Sequence, residues 1–242
     1  MLRIGHRGDC GHAPENTLAS FRKALEIGVD GVELDTHSTK DGEIIVMHDE
    51  NVDRTTDGTG LIRDMTLDEI KKLDAGLKFN EEFKGEKVPT LKEALQLLRG
   101  KWVFIEIKQQ GIEPRVIEIV RSMGMVREVC IVSFHQDSVK RIKEVAPEIK
   151  IGLISDKLED LQVAIELGAD AFSLVHTMVD NKIVKEVHKN GLLLSAWTMN
   201  TEEDLRKMVE IGADILVTDF PDRLNKILEK GDASTDPLKR SL

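Results

Sequence analysis

A chain of 242 residues, 40% of them hydrophobic, is long enough for one large α/β domain with a sizeable core. Its 34 basic and 44 acidic residues leave a net charge of −10, so no global field draws nucleic acid or an anionic membrane, and an anionic substrate must be attracted locally. The two cysteines, Cys10 and Cys130, lack metal or redox spacing, no apolar run is long enough to span a bilayer, and Met1 to His6 runs straight into a strand with no apolar signal segment. These features predict a soluble, cytoplasmic protein.

The first predicted strand covers residues 2–6 and leads into a helix over 16–27. The second strand, 31–35, carries the most informative pattern in the chain. Val32-Glu33-Leu34-Asp35 alternates apolar and acidic, so Glu33 and Asp35 share one face of the strand. Asp41-Gly42 then separates it from Ile44-Ile45-Val46-Met47-His48, a strong hairpin signal. With a two-residue turn, paired residue numbers sum to about 83, which sets His48 roughly opposite Asp35. Residues 50–89 are too long for a plain loop and contain a short predicted helix at 67–73; they read as a small lid-like insertion. Thr66 with Glu69, and Thr90 with Glu93, form capping-box patterns.

The strand predicted at 102–108 repeats the acidic device, with Glu106 and Lys108 on one face. Further strands are expected at 129–134, 150–154, 171–175, 192–198 and 215–219, separated by helices at 91–98, 113–123, 136–145, 158–167, 180–189, 202–211 and 221–229. Three segments resemble one another: Glu26-Ile27-Gly28-Val29-Asp30, Glu166-Leu167-Gly168-Ala169-Asp170 and Glu210-Ile211-Gly212-Ala213-Asp214. Each closes a helix with a glycine suited to the left-handed cap and hands on to a strand. About eight parallel strands result if 44–48 is only a hairpin extension of the second. No Gly-x-Gly-x-x-Gly follows the first strand and no P-loop is present, which argues against an open nucleotide-binding sheet. The expected fold is a (β/α)8 TIM barrel over residues 1–230, with the hairpin on strand 2, the insertion after it, and a disordered polar tail at 231–242.

Glu33, Asp35 and Glu106 fall near the C-terminal ends of adjacent barrel strands, where barrel enzymes place their chemistry. Three interior carboxylates repel and desolvate one another unless something cationic holds them. A hard cation, Mg²⁺ or Ca²⁺, suits such oxygen ligands better than Zn²⁺ or copper does; the bland alternative is a salt-bridge network with Arg7 and Lys108. His6 and His48 converge on the same cluster as an acid/base pair, as metal ligands or as structural histidines, and spacing does not decide between these roles. Arg7 and Lys108 suit a phosphoryl clamp, or merely balance the acids. Glu15 and Asn16 are read first as dipole and cap residues of helix 16–27, with a substrate role second. Trp197 suits stacking against a substrate carbon chain, or rim packing. His12, His135 and His176 follow strand ends, His37 lies further out on the hairpin, and His188 is expected on a solvated helix face.

His6-Arg7-Gly8, Pro14-Glu15-Asn16-Thr17, Glu33-Leu34-Asp35, His48-Asp49 and Glu106-Ile107-Lys108 together resemble the glycerophosphodiester phosphodiesterase family. Asp53-Arg54-Thr55-Thr56, Gly58-Thr59-Gly60, Val88-Pro89-Thr90-Leu91, Trp197-Thr198-Met199-Asn200 and Thr218-Asp219-Phe220-Pro221 extend the resemblance from Met1 to about Glu229. It implies a barrel fold and metal-dependent hydrolysis of glycerophosphodiesters to glycerol 3-phosphate and an alcohol. It also implies that Glu33, Asp35 and Glu106 bind the metal, that His6 and His48 are the acid/base pair, and that Arg7 and Lys108 hold phosphate. The loop Asp9-Cys10-Gly11-His12 and the short insertion depart from the family pattern, which bears on substrate range. Two other functions fit the same fold: a metal-dependent sugar isomerase or lyase, and a glycerophosphodiester-binding protein without catalysis. The paired histidines speak against the second, and Arg7 with Lys108 against a neutral sugar.

Overall fold

Apolar strands alternating with amphipathic helices can bury both faces of a parallel sheet only if the sheet closes or is covered on each side. Here it closes. In the computed structural model, which describes residues 1–228, strands β1 (Leu2–His6), β2 (Gly31–Ser38), β4 (Trp102–Ile107), β5 (Val129–Ser133), β6 (Lys150–Ser155), β7 (Ala171–Val175), β8 (Leu193–Trp197) and β9 (Ile215–Thr218) are parallel. Pairing of β1 with both β2 and β9 completes an eight-stranded barrel. The predicted tail at 231–242 lies outside the described residues.

Around the barrel run α1 (Leu18–Ile27), α3 (Leu91–Leu97), α4 (Glu113–Ser122), α5 (Gln136–Val145), α6 (Asp160–Glu166), α7 (Asn181–Lys189), α8 (Glu202–Ile211) and α9 (Pro221–Leu228), and a single turn, α2 (Leu67–Ile70), lies in the insertion. Outward-facing strand residues such as Val32, Leu34, Val103 and Ile105 pack with these helices into the main core. A second cluster fills the barrel itself, with Leu2, Ile4, Phe104, Cys130, Val132, Ile154, Ala171, Ile215 and Val217. That inner layer gives way to polar residues towards the C-terminal ends of the strands.

The three repeated segments are one structural device. Gly28, Gly168 and Gly212 take positive φ after α1, α6 and α8, a conformation that costs glycine little. The aspartate two residues on then accepts the backbone N–H of a neighbouring strand: Asp30 from Arg3 at 2.9 Å, Asp170 from Ile151 at 2.9 Å, and Asp214 from Leu194 at 2.9 Å. Each copy stops a helix and ties the start of the next strand to its neighbour.

The hairpin differs from its expected register. Thr36 pairs with Val46, His37 with Ile45 and Ser38 with Ile44 in antiparallel β3 (Ile44–Val46). The Asp41-Gly42 turn therefore spans three residues, closed by Thr39 and Glu43, with Gly42 at φ 82. Met47, not His48, meets Asp35, its N–H donating to the Asp35 carbonyl at 3.0 Å. The longer turn is stabilised by the Thr39 hydroxyl donating to Asp41 at 2.6 Å and accepting the Glu43 N–H at 3.0 Å. β2 outgrows β1 at its C-terminal end, and β3 occupies the edge that β1 leaves free. The insertion beyond packs Val52, Ile62, Ile70, Ala75 and Val88 against Ile45 and Met47 in a cluster of its own.

Candidate active site

Polar strand ends converge at the C-terminal mouth on a cavity of about 220 Å³. Among its lining residues are His6, Arg7, Glu33, His48, Glu106, Lys108 and Trp197. Asp35 lies just behind this wall and is 1% exposed. Glu15 is not on the wall; it holds Arg7 from outside, accepting its Nη1 at 2.9 Å.

Register explains the acidic cluster. Glu33 lies beside His6, and Asp35 beside Glu106, on neighbouring strands. Oxygens of Glu33, Asp35 and Glu106 all lie within 4.8 Å of one another. Burial pushes Glu33 well above the usual carboxylate range, and Asp35 and Glu106 push it further. Burial and then Asp35 push Glu106 up to about 7. Burial also opposes the charge of Asp35, but Arg7 and Lys108 overcome it and hold that carboxyl low. Lys108 Nζ donates to Glu106 at 2.8 Å and lies 3.5 Å from Asp35, while Arg7 Nε lies 3.2 Å from Asp35. These cations do not satisfy the cluster: Glu33 Oε1 and Asp35 Oδ1 are buried without a hydrogen-bond partner. An all-oxygen, partly unsatisfied carboxylate set fits a hard divalent cation.

Arg7 reaches this position through an unusual backbone. It adopts φ 50, which costs a non-glycine residue roughly 1–2 kcal/mol. The conformation turns its N–H onto Glu33 Oε2 at 3.1 Å and its carbonyl onto Asn16 N–H and the Ser20 hydroxyl. Gly8 follows at φ 92, where a Cβ would meet Ser20 Oγ at 2.2 Å. Asn16 is not the helix cap. Thr17 caps α1, accepting the Ser20 N–H, because the Asn16 side chain is engaged elsewhere. It donates to Asp35 Oδ2 at 2.7 Å and accepts the Asp35 N–H at 3.3 Å.

Both cavity histidines have a carboxylate behind them. His6 Nδ1 is 2.6 Å from Asp219 Oδ1, and its Nε2 is 3.8 Å from Glu33. Asp219 is itself fixed by Asn200 Nδ2 at 2.6 Å and by the Cys10 thiol at 3.0 Å. Burial opposes its charge, but the His6 hydrogen bond brings Asp219 down to about 2. His48 Nδ1 is 2.7 Å from Asp49, whose other contacts go to Arg54, and Arg54 also grips Glu15. Burial lowers the His48 pKa despite the attraction of Asp35. The bend carrying His48 is pinned by His37 Nε2 at 3.0 Å from the His48 carbonyl. Such Nδ1 partners fix each ring's orientation and tautomer. Asp49, Arg54 and Asp219 stand inside recognisable sequence motifs, but nothing in their spacing announced these partnerships.

Trp197 stacks edge-on with Phe134 at 5.6 Å on the far side of the mouth. Of the remaining histidines, His12 pairs with Asp9 and packs on Phe220, His135 meets the Lys108 carbonyl, and His176 meets the Trp197 carbonyl. His188, expected to be solvated, binds Asp214 at 2.6 Å at the opposite end of the barrel and is 42% exposed in its side chain. No helix among the described residues is long and apolar enough to cross a membrane.

The chain is 42% identical over 239 residues to a glycerophosphodiester phosphodiesterase of Caldanaerobacter subterraneus subsp. tengcongensis, covering 95% of this chain and 98% of that one. It is 33% identical to a glycerophosphodiester phosphodiesterase of Bacillus subtilis, over 94% of this chain and 86% of the relative. Among solved structures, a glycerophosphodiester phosphodiesterase from Agrobacterium tumefaciens superposes with a TM-score of 0.86 at 33% identity, over 93% of this chain and all of that one. A phosphodiesterase from Oleispira antarctica, solved with the product sn-glycerol-3-phosphate, gives 0.87 at 29% identity, over 93% of this chain and 96% of that one. The pattern of the glycerophosphoryl diester phosphodiesterase family matches residues 6–223, and the chain belongs to that family of barrel enzymes.

Proposed function

We propose that the protein hydrolyses glycerophosphodiesters to sn-glycerol 3-phosphate and an alcohol, with a divalent metal, Mg²⁺ or Ca²⁺, held by Glu33, Asp35 and Glu106. The observation that carries this reading is the meeting of two carboxylate-backed histidines, two cations and the acidic triad around one cavity. A metal bound there would draw charge from a non-bridging phosphoryl oxygen. Arg7 and Lys108 supply donors for the other phosphoryl oxygens and offset charge that grows in the transition state.

His6 and His48 carry the protons. One imidazole takes the proton of the attacking hydroxyl as its oxygen bonds to phosphorus; the other protonates the alkoxide as the bond from phosphorus to the alcohol breaks. The attacking group in this reading is the glycerol hydroxyl next to the phosphoester carbon. Intramolecular attack through a five-membered ring benefits from effective molarities of about 10⁵ M or more in well-oriented cases. Water then opens the cyclic phosphate with the proton roles reversed, leaving glycerol 3-phosphate. Trp197 and Phe134 offer an apolar wall to the substrate's carbon skeleton. A cytoplasmic setting with a small-molecule substrate, and no nucleic-acid or stable membrane partner, completes the reading; the free thiols of Cys10 and Cys130 and the net charge of −10 support it.

Release of glycerol 3-phosphate from glycerophosphocholine, with and without a chelator, tests the proposal. Product should form in the metal-replete sample and fall to background after metal removal. Absence of product with Mg²⁺ or Ca²⁺ supplied would overturn the hydrolase reading, and undiminished turnover by verified metal-free protein would remove the metal from it.

A further inference from the structure

The wall facing the charged cluster holds two serine hydroxyls with no assigned task, with Thr198 further along the same lining. Ser173 on β7 and Ser195 on β8 both line the cavity and are 7% and 3% exposed. They are register partners across neighbouring strands, and Ile154 on β6 is the register partner of Ser173 on its other side. Around them the wall is apolar, with Phe104, Val132, Ile154 and Val217. Neither hydroxyl is among the buried polar atoms sealed off without a partner; both serines face the cavity, where a ligand can reach them. A hydroxyl that exchanges cavity water for a ligand partner gains about 0.5–1.5 kcal/mol, and one covered by a ligand that cannot pair with it loses about 1–3 kcal/mol.

We propose that Ser173 and Ser195 bind the terminal hydroxyl of the substrate's glycerol, the one furthest from the phosphoester carbon. The inference rests on the glycerophosphodiester reading above and names the part of the substrate that this wall selects. The cavity has two unlike sides. Arg7 after β1, Lys108 after β4 and the carboxylates on β2 and β4 suit the phosphoryl group and its metal, and the adjacent glycerol hydroxyl is occupied by the chemistry. The remaining hydroxyl needs both a donor and an acceptor, and a serine pair supplies both. The same wall contains no carboxylate among its lining residues, so it does not suit a cationic head group, which is left to the open mouth. A site built to pair with a substrate hydroxyl rejects the analogue that lacks it, because its own polar groups are then stranded.

The test compares kcat/KM for glycerophosphoethanolamine with that for its analogue in which the terminal hydroxyl is replaced by hydrogen, in the wild type and in Ser173→Ala, Ser195→Ala and the double variant. The wild type should prefer the hydroxylated diester by about a hundredfold, within the range that such hydroxyl-reading sites reach. Each single variant should lose about tenfold on it while changing less than twofold on the deoxy diester, so that the double variant discriminates little. Melting temperatures close to wild type would accompany that result. Equal losses on both diesters would assign the serines to packing and overturn the proposal, as would a wild type without preference or variants that retain it. Activity with unchanged preference sinks this inference alone, whereas a wild type inactive on both diesters with metal supplied sinks it together with the hydrolase reading.

Discussion

Glu33 and Glu106 are carboxyls that the fold has made reluctant to ionise, while Asp35 between them stays charged. Replacing Glu33 or Glu106 by glutamine removes an anionic oxygen with little change of shape. Metal affinity measured by calorimetry should fall at least tenfold in each variant, and turnover with it. His6→Ala and His48→Ala should differ in kind: turnover falls by about 10²–10⁴, the usual span for a general acid or base, while metal content by elemental analysis stays at the wild-type level. Loss of metal from either variant would make that histidine a ligand instead. Asp219 contacts His6 and is not among the residues lining the cavity, so in the proposed reading Asp219→Asn should lower kcat with little change in KM and displace the pH profile. Alternation and spacing made the acids, histidines and cations legible in the sequence. They did not reveal Asp219, Asp49 or Arg54: Asp219 meets His6 only when the barrel closes, and the turning of Asp49 and Arg54 onto His48 depends on the conformation of the bend after β3, which spacing does not specify. Asn16 misled for a related reason: its position suggested a cap, and a long-range bond to Asp35 outweighed the local preference.

At the level of elements, the site depends on what happens where strands end. β2 is long enough to pair with β1, β4 and β3, so one strand carries two of the three acids and anchors the bend that presents His48. Barrel class and strand order followed from the alternating pattern and the repeated glycine-to-aspartate segment. The hairpin register did not, because Asp-Gly served as the end of a three-residue turn and shifted the pairing sum by one. His48 nevertheless reaches the cavity from the bend beyond β3, where His37 holds its carbonyl. The turn after β1 is more tightly constrained. Gly8→Ala places a methyl carbon at 2.2 Å from Ser20 Oγ and 2.7 Å from the Ser20 carbonyl carbon, on a backbone at φ 92. The expected cost is about 2–4 kcal/mol, with Arg7 displaced from Asp35. Thermal unfolding should show a melting temperature several degrees lower, and a variant as stable as wild type would mean that the α1 start moves freely to accommodate it.

Across the whole molecule, a net charge of −10 surrounds the cavity, so in the proposed reading attraction of an anionic substrate would depend on Arg7, Lys108 and a bound metal. The burial of the triad would link the proposed metal binding to pH. Without metal, Glu33 and Glu106 favour their protonated forms, Glu106 up to about 7. A carboxyl whose pKa is raised by folding stabilises the folded state below its unfolded pKa, and that contribution is lost as pH rises through the folded value. The metal-free protein should therefore lose stability from Glu106 between about pH 4.5 and 7, and from Glu33 as pH rises above the usual carboxylate range, as these carboxyls become charged in a cramped, poorly solvated cluster. Metal binding requires those protons to leave, so affinity rises with pH as Glu33 and Glu106 ionise. Saturating Mg²⁺ or Ca²⁺ should thus raise the melting temperature more at pH 8 than at pH 6, and Glu106→Gln should reduce the difference between the two pH values. A metal-induced shift that is the same at both pH values in the wild type would show that the triad is already ionised before the cation arrives, with Arg7 and Lys108 alone neutralising it.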